Sequence, residues 1–258
     1  MSEPIQQPLR SVAVGGVSQP DRVAPAADQT DLVALFALHA PDSPMTERLR
    51  RIKSNLLRQE RQAGHEHKLL VVTSPQANDG KTLLTANLGI VLARPAGTRV
   101  LIVDLDLRKP KVHRVFGHAP RRGVRAILDG QATLEEMLVP GPVPGIDLLL
   151  AGRADRSTIE LTSAELEPLF REARQRYDRV IVDTPPVLQF SDAVEAATIA
   201  DGTILVARAR RTLCRAVQRS LESLEGCRML GMVLNDTQRN LLERRYYGYS
   251  YKYKYRDK

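Results

Sequence analysis

The feature that most constrains this chain is a series of short segments apolar at consecutive positions, each followed by a stretch with helical spacing of its apolar residues. Strands are expected at 68–73, 99–105, 146–150, 179–183, 203–207 and 229–234, with helices at 81–92, 164–177, 192–200 and 213–224. A strand apolar throughout is buried on both faces, and a helical segment after each strand is the crossover that parallel strands need. The expected fold is therefore α/β, a mostly parallel sheet with helices on both faces. Ligands in such folds sit at the carboxyl ends of the strands, so the chemistry is sought there. A further helix from Met45 to about Gln62, with Leu49, Ile52, Leu56 and Leu57 on one stripe, precedes the first strand.

Residues 1–40 are rich in Pro, Gln, Ala and Asp and lack periodicity, which reads as a flexible arm outside the core with one short helix near Leu32–Leu38. The folded body is expected over 41–238 and a basic tail over 239–258. Of the net charge of +8, five units come from that tail, where seven Lys or Arg face Glu243 and Asp257. The body has no basic helix interleaved with aromatics, so nucleic acid is not an expected partner. No apolar run approaches the ~20 residues of a membrane span, and Met1–Gly15 lacks the pattern of a signal peptide. Cytoplasmic residence is the expectation. Cys214 and Cys227 lack metal-ligand spacing and read as packing residues.

Three strand ends carry chemistry. Ser74-Pro75-Gln76-Ala77-Asn78-Asp79-Gly80-Lys81-Thr82 follows the first strand and opens a helix, the place for a phosphate loop. Its backbone amides, from Gln76 to Leu83, would surround phosphates, with Lys81 on the outer phosphate oxygens of ATP and the Thr82 hydroxyl on Mg²⁺. The strict glycine pattern is not met, since Pro75 stands where the first Gly would be. The second strand ends in Asp104-Leu105-Asp106-Leu107-Arg108, and a persisting strand would turn all three polar residues to one side. One carboxylate can orient Mg²⁺ while the other accepts a hydroxyl proton. A third strand ends in Asp183-Thr184-Pro185-Pro186, which places Asp183 as a metal-site aspartate.

On these motifs the sequence resembles the bacterial tyrosine kinase (BY-kinase) family, the autokinases of capsule and exopolysaccharide loci. The resemblance runs from about Thr46 to Tyr255 and rests most on DLDLRKPKVHRVF at 104–116. YDRVIVDTPP at 177–186, Ser191-Asp192, Arg208 and GMVLN ending at Asn235 also match. It implies a P-loop NTPase fold of the ParA/MinD-like branch, with ATP and Mg²⁺ as cofactors. Lys81, Asp104, Asp106 and Arg108 become catalytic, Thr82, Asp104 and Asp183 the metal site, and Arg208 and Asn235 join the nucleotide site. Glu47, Arg50, Lys53 and Asn55 resemble the family's oligomerisation motif, with Lys53 in place of an Arg. Ala77 and Asn78 replace the family's Pro and Gly, and Asn78 is a residue type that tolerates positive φ. The resemblance further implies a homo-oligomeric ring, a membrane-embedded polysaccharide co-polymerase (Wzz-like) whose cytoplasmic tail activates the kinase, a cognate phosphotyrosine phosphatase, and recruitment to the inner face of the membrane.

Six of the seven tyrosines, Tyr246, Tyr247, Tyr249, Tyr251, Tyr253 and Tyr255, fall within ten residues. They are the expected phosphoacceptors, because phosphates of about −1.5 to −2 each would reverse the tail's charge. Two other readings stay open. One is a positioning ATPase of the ParA/MinD type, disfavoured because 73–77 holds no second Lys; the other is a nucleotide-binding scaffold without turnover.

Overall fold

The computed structural model describes residues 35–152 and 161–237. Local signals in the sequence start and stop the helices. Helix α1 is the single turn Phe36–His39, and α2 spans Pro44–Ala63. The Ser43 side chain accepts from the Thr46 amide at 3.2 Å, Pro44 supplies a preset φ in the first turn, and Gly64 ends the helix at φ +73°. Strand β1 (Leu69–Thr73) leads through the 74–80 loop into α3 (Lys81–Ala93), and β2 is Val100–Asp104. Three short helices follow, α4 (Val112–Val115), α5 (Val124–Leu128) and α6 (Leu134–Met137), before strands β3 (Leu138–Pro140) and β4 (Ile146–Leu149). Helix α7 (Ser163–Arg176), opened by a Thr162–Glu165 capping box, then gives way to β5 (Arg179–Asp183), α8 (Asp192–Thr198), β6 (Gly202–Arg208), α9 (Cys214–Ser223) and β7 (Met229–Asn235).

The seven strands lie in the order β3-β4-β2-β5-β1-β6-β7, parallel throughout except for the antiparallel β3–β4 pair. Strand β3 escaped the sequence reading because it is three residues long and ends in Pro140, which an edge strand tolerates. Alternation along the strands divides the core in two. Leu70, Val72, Ile102, Ile181 and Ile204 pack with α1, α2 and α3 on one face. Leu69, Val71, Leu101, Val103 and Val182 pack with α5 to α8 on the other. Helices on both faces, as expected, leave the carboxyl ends of β2, β5 and β1 side by side, with β1 and β2 both joined to β5.

Three expectations need correction. The segment before residue 41 is not all outside the core: Leu35 is 2% exposed and Ala37 fully buried, and the Ala37 amide donates to the buried Asn87 Oδ1 at 2.9 Å. The short helix expected near Leu32–Leu38 is present as α1, Phe36–His39, but its few apolar residues gave no period from which its burial could be read. Cys214 is exposed, whereas Cys227 is half-buried. Strand β2 ends at Asp104, so Asp106 and Arg108 are carried by a loop and not by continued strand alternation. Among the described residues, no helix is long and apolar enough to cross a membrane.

Candidate nucleotide and phosphoryl-transfer site

The site is built where β1, β5 and β2 end. Parallel register sets Asp104 beside Asp183, and Val72 beside Asp183, so the two aspartates are on adjacent strands about 4.8 Å apart. Both carboxyl groups are fully buried. Burial, then the neighbouring Asp183 carboxylate, pushes the Asp104 carboxyl up to about 8, against the pull of the Val112 amide. Burial also raises Asp183, while Lys81 and the Thr82 hydroxyl pull it back.

The 74–80 loop is braced from several distant segments. The Asp79 carboxylate accepts from the Gln76 amide at 3.0 Å and from the Thr212 hydroxyl at 2.9 Å, and the Asp79 carbonyl accepts from Asn235 Nδ2 at 3.0 Å. Asn78 sits at φ +66°, where the resemblance expected a glycine conformation, and its side-chain oxygen accepts from Lys111 Nζ at 2.7 Å. Gly80, at φ +104°, is obligatory: a Cβ there would lie 2.0 Å from Asn235 Nδ2. The loop's far side is fastened to the 183–187 turn, where Thr73 Oγ1 donates to the Pro185 carbonyl at 3.0 Å and the Val187 amide to the Ser74 carbonyl at 2.9 Å.

Inside this frame, Lys81 is 6% exposed. Its Nζ lies 3.2 Å from Asp106 Oδ2 and 4.0 Å from Asp183 Oδ1. Burial works to lower the Lys81 pKa, yet the Asp183 and Asp106 carboxylates outweigh it and hold the ammonium above its ordinary value. The Thr82 hydroxyl donates to Asp183 Oδ2 at 2.6 Å. Asp104 does more than face the site, because its carboxylate accepts from the amides of Asp106, Lys111 and Val112 at 3.2, 3.1 and 3.0 Å. It thereby gathers the loop that delivers Asp106, whose Oδ1 accepts from the Lys109 amide at 3.0 Å.

The residue set suits Mg²⁺ bound with phosphates. Asp183 Oδ1 is buried without a hydrogen-bond partner among the described residues and has the Lys81 ammonium no nearer than 4.0 Å, so a closer cation would satisfy an oxygen that is otherwise costly to bury. Among the described residues no cluster of three His, Cys, Asp or Glu forms a protein-only metal cage. Mg²⁺ binds through one or two carboxylates, substrate phosphates and water and needs no such cage.

Arg108 is engaged at the start of α8 and on the turn before it. It pairs with Asp192 at 3.5 Å and lies over the Phe190 ring at 4.4 Å, tying the 105–111 loop to the start of α8. Arg208 pairs with Asp236 at 2.9 Å and reaches the Asn78 carbonyl at 3.5 Å. The proposed interface residues are all bonded within their own chain: Glu47 to Arg50 at 3.1 Å, Lys53 to the Val91 carbonyl at 3.2 Å, and Asn55 to Arg58 at 3.2 Å. The six tail tyrosines lie outside the described residues. Thr212, Lys111 and Phe190 escaped sequence reading, since Thr212 stands 133 residues from the aspartate it holds and no local pattern marks such a partner.

Fold and site together define a P-loop nucleotide-binding domain with Asp104 and Asp106 at and just after the end of β2 and Asp183 at the end of β5. Residues 68–230 match the AAA-domain family, and the chain is 31% identical over 218 residues to tyrosine-protein kinase YwqD of Bacillus subtilis, spanning 83% of this chain and 90% of that one. The chain belongs to the bacterial tyrosine-protein kinase family. It is 33% identical over 222 residues to the protein named putative tyrosine-protein kinase EpsB of Ralstonia solanacearum; the match covers 85% of this chain but only 29% of that much longer protein. Among solved structures, the chimerical protein CapA2B2 superposes with a TM-score of 0.73 at 27% identity, over 80% of this chain and 91% of that one.

Proposed function

We propose that this chain is an ATP- and Mg²⁺-dependent protein-tyrosine autokinase that phosphorylates Tyr246–Tyr255 of a neighbouring copy. The observation that supports this best is Asp106. A nucleotide switch needs a metal-organising carboxylate, which Asp183 supplies. Transfer to a phenol also needs a proton acceptor beside the phosphoryl group, because the phenol pKa is about 10. Asp106 is a buried carboxylate held on Lys81 Nζ, the group that a nucleotide's outer phosphates would claim. Lys81 would exchange its two carboxylates for phosphate oxygens, which frees Asp106 to take the tyrosine proton as the new bond from the phenol oxygen to the terminal phosphorus forms and the bond from that phosphorus to the bridging oxygen breaks, with ADP leaving. Thr82, Asp183 and Asp104 would hold Mg²⁺, which when bound neutralises charge on the phosphates. Arg208 and Asn235 brace the loop from the side on which the base would lie.

The wider setting is proposed from the family resemblance: regulation of exopolysaccharide or capsule synthesis or export, activation by a membrane-embedded co-polymerase at the inner membrane face, and reversal by a phosphatase. Glu47, Arg50, Lys53 and Asn55 would exchange their internal bonds for contacts in a ring.

The test is purified full-length chain with labelled ATP, read for both phosphotyrosine and free phosphate. Phosphotyrosine on the tail is the expected result. Free phosphate without phosphotyrosine would make the chain a positioning-type ATPase, and bound ATP with neither product a scaffold. The Asp106→Asn variant should still bind nucleotide while transfer falls at least about 10²-fold, the usual worth of a general base. Equal losses of binding and transfer would make Asp106 a metal ligand first.

A further inference from the structure

Immediately outside the acidic centre lies a basic cavity of about 370 Å³, lined by Arg108, Lys109, Lys111, His113, Arg114 and three other residues, Pro110, Pro120 and Gly152. None of these is acidic. The Lys109 and Arg114 side chains are exposed, while His113 is 6% exposed. Burial first, then Arg114 and His118, holds the His113 imidazole below its ordinary value, so at neutral pH it offers a hydrogen-bonding ring and not a further positive charge. The cavity is part of the loop that carries the proton acceptor. The Lys109 amide binds Asp106 Oδ1 at 3.0 Å, and the Lys111 amide binds Asp104 Oδ2 at 3.1 Å. This short segment therefore turns carboxylates inward and the exposed Lys109 and Arg114 outward.

The tail has a matching period. Tyr247, Tyr249, Tyr251, Tyr253 and Tyr255 occupy alternate positions. In an extended bound peptide, alternate residues share one edge and repeat about every 7 Å. A tyrosine addressed to Asp106 thus sets another about 7 Å away and a third about 14 Å away, within the span of the loop and its long Lys and Arg side chains. Once one tyrosine is phosphorylated, the buried carboxylates would repel it, and a cationic recess beside them reverses that effect for the neighbour of the reacting residue.

We propose that the cavity of Lys109, Lys111, His113 and Arg114 is a phosphotyrosine subsite for the tail of a second copy of this chain. This rests on the autokinase reading and deepens it: a tail already carrying one phosphate is a better substrate than an unmodified one, so phosphorylation runs along the cluster. The ligand is a phosphate monoester on an aromatic ring within a basic peptide, recognised by charge-assisted contacts with Lys109 and Arg114 and by the His113 ring.

The experiment uses wild-type chain without nucleotide and fluorescent peptides spanning 245–255, unmodified or phosphorylated at Tyr251 alone. Anisotropy in low salt should show the phosphopeptide binding about tenfold tighter, the effect of two partly exposed charge contacts of about 0.7 kcal/mol each. Lys109→Gln with Arg114→Gln should erase the difference and leave unmodified-peptide affinity unchanged, with an unaltered melting temperature showing that this surface pair still folds. Equal binding of both peptides by wild-type chain, or a preference surviving the double substitution, overturns the subsite. So does full displacement of the phosphopeptide by an equal concentration of inorganic phosphate, which would reduce the cavity to an anion site. Because no turnover is needed, this readout is separate from the kinase reading, whose failure appears as absence of tyrosine phosphate when wild-type chain is given Mg²⁺-ATP.

Discussion

Lys81→Met separates the site's electrostatics from its chemistry. From sequence, Lys81 is expected to meet phosphate and not the core, so its loss would cost activity alone. The structure corrects this, because Lys81 is 6% exposed and lies 3.2 Å from Asp106 and 4.0 Å from Asp183. Removing the ammonium leaves three buried carboxyl groups without their cation. Breaking a buried pair from one side costs about 3–5 kcal/mol, a large fraction of the ~5–15 kcal/mol that holds a domain together. At about 2–4 °C per kcal/mol for a domain of this size, the melting temperature without nucleotide should fall by about 6–20 °C at pH 8.5. The deficit should shrink at pH 6, as the sign of the linkage requires. The folded Asp104 value, about 8, lies above the ~3.9 of an unfolded aspartate. Between those limits the folded chain keeps a proton that the unfolded chain has lost, so this contribution is full at low pH and fades as pH rises toward 8. Asp183 shifts in the same direction. Without Lys81 both carboxyl groups rise further, which carries the fall on to higher pH, where the wild type has stopped losing stability. Thermal unfolding of both proteins at pH 6, 7 and 8.5 tests this. Equal melting temperatures for wild type and variant at every pH would refute the buried-pair account, whatever happened to phosphotyrosine.

Two further outcomes follow from the same geometry. Gly80→Ala places a Cβ 2.0 Å from Asn235 Nδ2 at φ +104°, so nucleotide affinity measured by calorimetry should drop at least about tenfold while the fold persists, since left-handed backbone alone costs about 1–2 kcal/mol; unchanged affinity would mean that the loop is not the phosphate cradle. Replacing all six tail tyrosines by Phe should leave ATP binding intact, abolish phosphotyrosine, and make the oligomer measured by light scattering insensitive to Mg²⁺-ATP; residual phosphotyrosine would point to Tyr177 as acceptor.

Much of the scaffold was legible because its signals are local. Strands apolar throughout read as buried on both faces, which holds for β1, β2, β5 and β6, whereas the edge strand β7 leaves Met232 and Leu234 exposed; five of the observed helices, α2, α3, α7, α8 and α9, match expected ones to within a few residues. The strand-end aspartates and the Gly80-Lys81-Thr82 helix start were also readable, since chain order puts each at a carboxyl end. By contrast, β3 and α4 to α6 span three to five residues each, too few for any period to emerge.

The sequence by itself determined which residue types could do chemistry here and on which strand ends they stand. It did not determine what each is bonded to. That Asp104 holds three amides of its own loop, that Lys81 is buried between two aspartates, and that Arg108 faces Asp192 and Phe190 are matters of tertiary structure alone. The reason is physical: backbone propensity and apolar period act over a few residues, whereas the environment of a charge is set by whatever the packed sheet brings beside it, here Asp183 next to Asp104 across a strand pair 79 positions apart in the chain.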